Sequence, residues 1–308
     1  MKNIILDCDP GHDDAIAILL AGQKKFFNLL GITTISGNQT IEKTTRNALN
    51  LVNFFQLDVP VAMGCSEPLV REKQICEAIH GKTGLDGYEF EPHNKVAEDI
   101  HAYELIIKLT SQNEHVTIVA TGPITNVALA LKAKPEIKKH IDEIIFMGGS
   151  IDNGNVSPAA EFNVLCDPEA THIVLESGVP TKMVGLNVTR KVLCSKEVVI
   201  RMAAIQNRTS DLFVKLMEVF NANQAKTFSN FVGGPLHDPV TIASLIDDKL
   251  VTYKYLNVSI DLTHGPSYGR TNVDVYDYLK LPHNCDVAVD INVKRFWDIL
   301  EEGIRSYK

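Results

Sequence analysis

Residues 3–21 read NIILDCDPGHDDAIAILLA, and this stretch decides the fold. Residues 3–8 form a short apolar run of strand character. Residues 13–21 have the apolar content of a helix and begin on two acids, where the helix dipole favours carboxylates. Pro10-Gly11 permits a sharp turn between the two. A strand that runs straight into a helix opens a βαβ unit, and the chain repeats that rhythm.

Residues 29–35 are β-branched and strand-like, 41–55 have helical spacing, and 59–62 form another short strand. A polar, glycine-containing stretch covers 67–94. Helix 102–110, strand 116–120, helix 124–131 and strand 143–147 continue the alternation, followed by helix 168–176 and strand 181–186. The region 195–231 is mostly helical and interrupts it. Strands return at 255–261 and 286–291, before a closing helix at 293–307. The pattern predicts an α/β fold, a single domain over residues 1–308 with a mostly parallel, mixed open sheet flanked by helices.

With 308 residues, 45% apolar and 22% charged, the chain has ordinary globular composition and enough length for a sizeable core. A net charge of −8 argues against nucleic acid or a membrane surface as partner. The six cysteines include no C-x-x-C pair, so they give no zinc or redox signal and suit reduced thiols. The N-terminus lacks a signal-peptide pattern and no apolar stretch reaches the ~18 residues that span a bilayer. A cytoplasmic location is the expectation.

Asp9, Asp13 and Asp14 fall at the carboxyl end of the first strand, where open α/β sheets bind ligands. Carboxylates packed into one turn call for a counter-charge, and a hard divalent cation with its oxygen preference is the simplest. A helix N-cap cluster is the competing reading, sufficient for a single Asp but less so for D-x-D-P-G-x-D-D. Asp7 shares a face with Asp9 only if the strand continues that far. In Leu236-His237-Asp238-Pro239 an acid/base group stands beside a possible metal ligand. Asn155 and Glu161-Phe162-Asn163 offer amides and a carboxylate suited to sugar hydroxyls. Asn38 follows the second strand, and Thr121 can give its carbonyl to a metal. His80-Gly81 with Gly84-Leu85-Asp86-Gly87 can cover a site. G-x-G-x-x-G, Walker A and G-x-S-x-G are all absent from the sequence, which removes the usual dinucleotide, NTPase and serine-hydrolase readings.

In order, DCDPGHDDAIAI, SGNQT, IHGKTGLDG, ATGPITN, FMGGS, GNVSPAAEFN with its following DPEA, and GGPLHDP resemble the inosine-uridine preferring nucleoside hydrolase family over essentially the whole chain. Asn38-Gln39-Thr40 and the GPSYGRT stretch at 265–271 look closest to bacterial ribonucleoside hydrolases that favour pyrimidine nucleosides. The resemblance implies calcium-dependent hydrolysis of the N-glycosidic bond of ribonucleosides, uridine and cytidine first and inosine next, in a nucleoside-salvage setting. It implies one bound Ca²⁺ and a homodimer or homotetramer. By the same resemblance Asp9 and Asp14 bind calcium through side chains, Thr121 through its carbonyl, and Asp238 completes the set. Asp9 also accepts the proton of the attacking water. Asp13, Asn38, Asn155, Glu161 and Asn163 hold the ribose, with Phe162 beside them and Met147 packed near the sugar. His80 and His237 flank the departing base, with His237 the candidate acid.

One departure concerns the stretch before GGPLHDP, where family members often place a Tyr, Arg or Gln that reaches the base. Residues 221–231 contain no Tyr or Arg, leaving Gln224, Phe228 and Asn230 as candidates. Two rival readings are a haloacid-dehalogenase-type Mg²⁺-dependent phosphohydrolase, which also carries D-x-D after its first strand, and a non-catalytic nucleoside- or ribose-binding protein.

Overall fold

The computed structural model describes residues 1–226 and 231–307. Its strands are β1 (Lys2–Cys8), β2 (Phe27–Thr34), β3 (Val61–Met63), β4 (Val116–Ala120), β5 (Ile141–Met147), β6 (Thr181–Val184), β7 (Leu193–Ser195), β8 (Gly233–Pro235), β9 (Val251–Leu256), β10 (Val258–Ile260), β11 (Thr271–Val273) and β12 (Cys285–Ile291). The helices are α1 (His12–Ala21), α2 (Ile41–Phe54), α3 (Glu77–His80), α4 (Ala102–Gln112), α5 (Thr125–Ala133), α6 (Phe162–Cys166), α7 (Pro168–Leu175), α8 (Leu186–Thr189), α9 (Lys196–Ala203), α10 (Arg208–Ala225), α11 (Pro239–Ile246) and α12 (Val293–Ser306).

The main sheet has eight strands in the order β3-β2-β1-β4-β5-β6-β12-β9. All pairings are parallel except the last, β12 with β9. Side chains alternate across it as the pleat requires. Ile4, Leu6 and Cys8 enter one core and Ile5 the other, so both faces are covered by helices, as parallel sheets demand.

Helix α1 is apolar on every side after its acidic first turn and is buried along its whole length, the mark of a core helix. Each of Ile16, Ile18, Leu19 and Leu20 contributes roughly 1.5–3 kcal/mol by burial, which offsets the cost of enclosing the acids at its start. It packs on α10, α11 and α12. Helix α12 is amphipathic instead, with Phe296, Trp297, Leu300 and Ile304 inward and Arg295, Glu301 and Arg305 ion-paired outside. The Tyr307 hydroxyl following it donates to the Leu19 carbonyl at 2.8 Å, joining α1 to a segment 288 residues later.

Two expectations are corrected. The strand predicted at 181–186 stops at Val184, because Leu186 opens the short helix α8 behind Gly185. The strand predicted at 255–261 is two strands in different sheets. Asn257 breaks it: its side chain donates to the Pro282 carbonyl at 2.7 Å, and the chain then pairs antiparallel with β11. Among the described residues no helix is long and apolar enough to cross a membrane.

Candidate active site

Strand β1 lies between β2 and β4, and the sheet's connections run off in opposite directions from there. The carboxyl ends of strands at such a switch point form a crevice. Asp9 follows β1, Asn38 follows β2, Thr121 follows β4 and Met147 ends β5. Close to them stand His80, which ends α3, and His237-Asp238, which lead into α11. The cleft between has a free volume of about 140 Å³. Asp13, Asn38, His80, Thr121 and Met147 line it, with Asn155, Glu161, Phe162 and Asn163 on one side and His237 and Asp238 on the other. A groove of about 870 Å³ between α2 and residues 83–97 is larger but gathers no acid cluster, so chemistry rather than size selects the cleft.

Asp13, Asp14 and Asp238 each bring a carboxylate oxygen within 4.8 Å of the others. Asp14 sits beneath the cleft, accepting from Gly11 N at 3.0 Å, Asn38 Nδ2 at 2.8 Å and Thr121 Oγ1 at 2.8 Å. The helix-cap reading is therefore also true of Asp14, whose Oδ2 caps the helix it belongs to. Asp9 stands slightly apart. Its Oδ2 accepts from Asn38 N at 2.7 Å, and its carboxylate is pressed between Gly37 and Gly122. A Cβ at residue 122 would lie 2.6 Å from Asp9 Oδ1, so the close approach requires glycine there.

Burial pushes all four acids up, and their mutual repulsion adds to the rise for Asp9, Asp13 and Asp238, while hydrogen bonds temper it at Asp14. Asp13 reaches about 7. Asp9 Oδ1 and Asp13 Oδ1 are buried with no hydrogen-bond partner, and among the described residues none of the four acids is ion-paired. Such a set is costly as it stands. An oxygen-only donor group with orphaned carboxylate oxygens fits a hard divalent cation. The Thr121 carbonyl accepts from Asn163 Nδ2 at 2.8 Å and retains a second lone pair for such an ion.

Asp7 takes no part in the cleft. Thr33 Oγ1 at 2.7 Å and Asn126 Nδ2 at 2.8 Å hold it, tying β1 to β2 and α5, while burial lifts it to about 7.

Glu161 caps α6, accepting from Asn163 N at 3.0 Å, Val164 N at 3.2 Å and Gly149 N at 3.0 Å. Burial nonetheless raises it to about 7. Asn155 Oδ1 accepts from Phe162 N at 2.9 Å. These bonds fold residues 154–163 over the ends of β4 and β5.

His80 and His237 occupy the other wall. His80 Nδ1 accepts from His12 N at 3.3 Å, and the ring packs against His12 and Phe220. His237 Nδ1 lies 2.7 Å from Thr189 Oγ1. Burial, with the Arg190 charge, lowers His237 to about 3. The ring is therefore neutral near pH 7. Gln224 is buried and lines the cleft, whereas Phe228 and Asn230 lie outside the described residues. Sequence reasoning missed Arg190, Phe220 and Cys76, which also line it. Phe220 reads as an ordinary core position of α10, and Arg190 and Cys76 stand outside every singled-out motif.

The description "inosine-uridine preferring nucleoside hydrolase" matches residues 4–298. The chain is 41% identical over 307 residues to the pyrimidine-specific ribonucleoside hydrolase RihB of Escherichia coli O1:K1 / APEC, covering 99% of this chain and 98% of that protein. Among solved structures it is similar to a purine-preferring ribonucleoside hydrolase from Gardnerella vaginalis, with TM-score 0.92 and 32% identity over 99% of this chain and 98% of the other. A plant nucleoside hydrolase gives TM-score 0.92 and 29% identity over 99% of each chain. The chain belongs to the inosine-uridine preferring nucleoside hydrolase family.

Proposed function

We propose that this nucleoside hydrolase releases the free base from pyrimidine ribonucleosides, uridine and cytidine before inosine, with calcium held by the acid cluster. The observation that carries this is the convergence of Asp9, Asp13, Asp14 and Asp238, two with orphaned oxygens, beneath a cleft walled by His80 and His237. The pyrimidine preference rests on the 41% identity to a protein named pyrimidine-specific, against 32% to one named purine-preferring.

Asp9, Asp14, Asp238 and the Thr121 carbonyl are the proposed ligands, with Asp13 close enough to join or to hold ribose. Carboxylates mixed with a carbonyl suit the flexible coordination of Ca²⁺ better than the strict octahedron of Mg²⁺. Such an ion would supply a lowered pKa to a water in the cleft. Asp9, whose Oδ1 has no hydrogen-bond partner, is the group placed to accept the proton of the attacking water. Asp13, Asn38, Asn155, Glu161 and Asn163 hold the sugar hydroxyls, while Met147 and Phe162 shield the oxocarbenium-like centre from bulk water. His80 and His237 meet the departing base. We read residues 1–308 as one domain, since β1 and β12 share a sheet, and as a homodimer or homotetramer, a mass that light scattering measures.

The direct test compares rates of base release from uridine, cytidine, inosine and adenosine, with metal analysis of the same sample. Release of phosphate from phosphate esters, or tight nucleoside binding without base release, would instead support the two rival readings.

His237→Ala is expected to slow uridine cleavage roughly 10²–10³-fold. On p-nitrophenyl riboside, whose leaving group needs no help, the loss stays below about tenfold. Equal losses on both would remove His237 from the leaving-group role. Gly122→Ala forces Asp9 aside and is expected to cost roughly 10²-fold in kcat, with an unchanged circular dichroism spectrum. A parental kcat in that variant would show that the position of Asp9 does not matter.

A further inference from the structure

The two histidines of the cleft are each held from behind at Nδ1. At His80 the partner is the backbone N–H of His12 at 3.3 Å. A backbone N–H can only donate, so Nδ1 is the bare nitrogen and the neutral ring carries its proton on Nε2. At His237 the partner is the Thr189 hydroxyl at 2.7 Å, which can play either role.

The surroundings of Thr189 settle which. Thr189 is fully buried, and among the described residues its hydroxyl has no hydrogen-bond partner besides His237. Were the ring to donate, the hydroxyl hydrogen would be enclosed without an acceptor, which protein interiors avoid. With the hydroxyl donating, both groups are satisfied.

The backbone fixes this pairing. Thr189 ends α8, with its N–H on the Gly185 carbonyl at 3.1 Å and its own carbonyl accepting from Val192 N at 3.0 Å. Leu236 N donates to the Val192 carbonyl at 2.9 Å, and β7 pairs with β8 through Leu193 and Pro235. This small ribbon holds the segments carrying Thr189 and His237 in register. As a β-branched residue, Thr189 is also stiff at χ1.

We propose that Thr189 is a positioning residue whose hydroxyl donates to His237 Nδ1, fixing the Nε2–H tautomer so that the ring offers the departing base a donor. The inference rests on the reading of this cleft as a base-releasing site. A base gathers negative charge as its bond to ribose breaks, so a fixed N–H strengthens its hold along the reaction, whereas a bare ring nitrogen would repel it.

The test uses Thr189→Val, which keeps the shape without the hydroxyl, and Thr189→Ser, which keeps the hydroxyl. For Thr189→Val, kcat on uridine is expected to fall about 10–100-fold, with KM within about threefold and little change on p-nitrophenyl riboside. Thr189→Ser retains uridine cleavage within about fivefold of parental. Nitrogen-15 spectra of the imidazoles, with His237 assigned by its own variant, show a bare Nδ1 in the parental protein and a tautomer mixture in Thr189→Val. The proposal is overturned by a parental kcat on uridine in Thr189→Val, by equal losses on both substrates, or by a protonated Nδ1 in the parental protein. If the parental protein cleaves neither substrate, the functional reading falls, and the nitrogen-15 spectra still decide the tautomer.

Discussion

An Asp9→Asn enzyme releases base from uridine at least roughly 10³-fold more slowly than the parental protein. The amide cannot take up the proton of the attacking water, and it is a poorer ligand than a carboxylate. The change is nearly isosteric, and an amide oxygen still accepts the Asn38 N–H that Asp9 now holds at 2.7 Å, so the fold persists. The stability readout has the opposite sign. Without metal, Asp9 is raised by burial first and by the charges of Asp14 and Asp13 next. Removing one charge relieves that repulsion, so metal-free Asp9→Asn should melt above metal-free parental protein. Uridine cleavage at the parental rate would end the assignment of Asp9 as base, and a lower melting point would contradict the repulsion.

Removal of metal by a chelator should abolish base release, and added calcium should restore it. Calcium at a hundred times its Kd stabilises the folded state by about 2.7 kcal/mol, which for a chain of this size raises the melting temperature by about 4 °C. The pH dependence of the metal-free protein follows from the acids. Asp7, Asp13 and Glu161 lie at about 7 when folded, above their ordinary values, so the folded state binds protons more tightly than the unfolded one. Their contribution is present in full below the ordinary carboxylate range and is lost as pH rises through about 7. Metal-free protein therefore melts higher at about pH 6 than at about pH 8, while the calcium-dependent increment shrinks at the lower pH because protonated carboxylates bind metal poorly. A chelated, metal-free enzyme with full activity would refute the role of the ion.

Much of this was legible in the sequence because local chemistry and global fold agree at the motifs. DCDPGHDD is at once a strand end, a turn and a helix start, and it delivers Asp9, Asp13 and Asp14 to the switch point whatever the rest does. The ends of β4 and β5 were marked by Gly122 and Gly148, so Thr121 and Met147 could be placed. Two kinds of information were hidden. One is what side chains do once folded: Glu161 and Asn163 are occupied with backbone groups, which spacing does not reveal. The other is tertiary. Phe220 and Arg190 come to the cleft, and Thr189 to the back of His237, through the packing of α10 and the β7–β8 ribbon, and nothing near them in the chain announces it. The same limit applies to strand 255–261, where the β-branched pattern runs on although pairing changes at Asn257.

The hydrogen bond from Tyr307 to Leu19, with α12 packed beneath α1, also sets a timetable for synthesis. A ribosome adding about 5–20 residues per second needs roughly 15–60 s to cover the 288 residues between them. During that interval α1, apolar on every side, lacks one of the surfaces that bury it, and for most of it Asp9 to Asp14 wait for an Asp238 not yet made. Such distant partnerships slow folding and leave apolar surface open to aggregation. The newborn chain thus carries its most distinctive sequence long before the partners that complete it have been made.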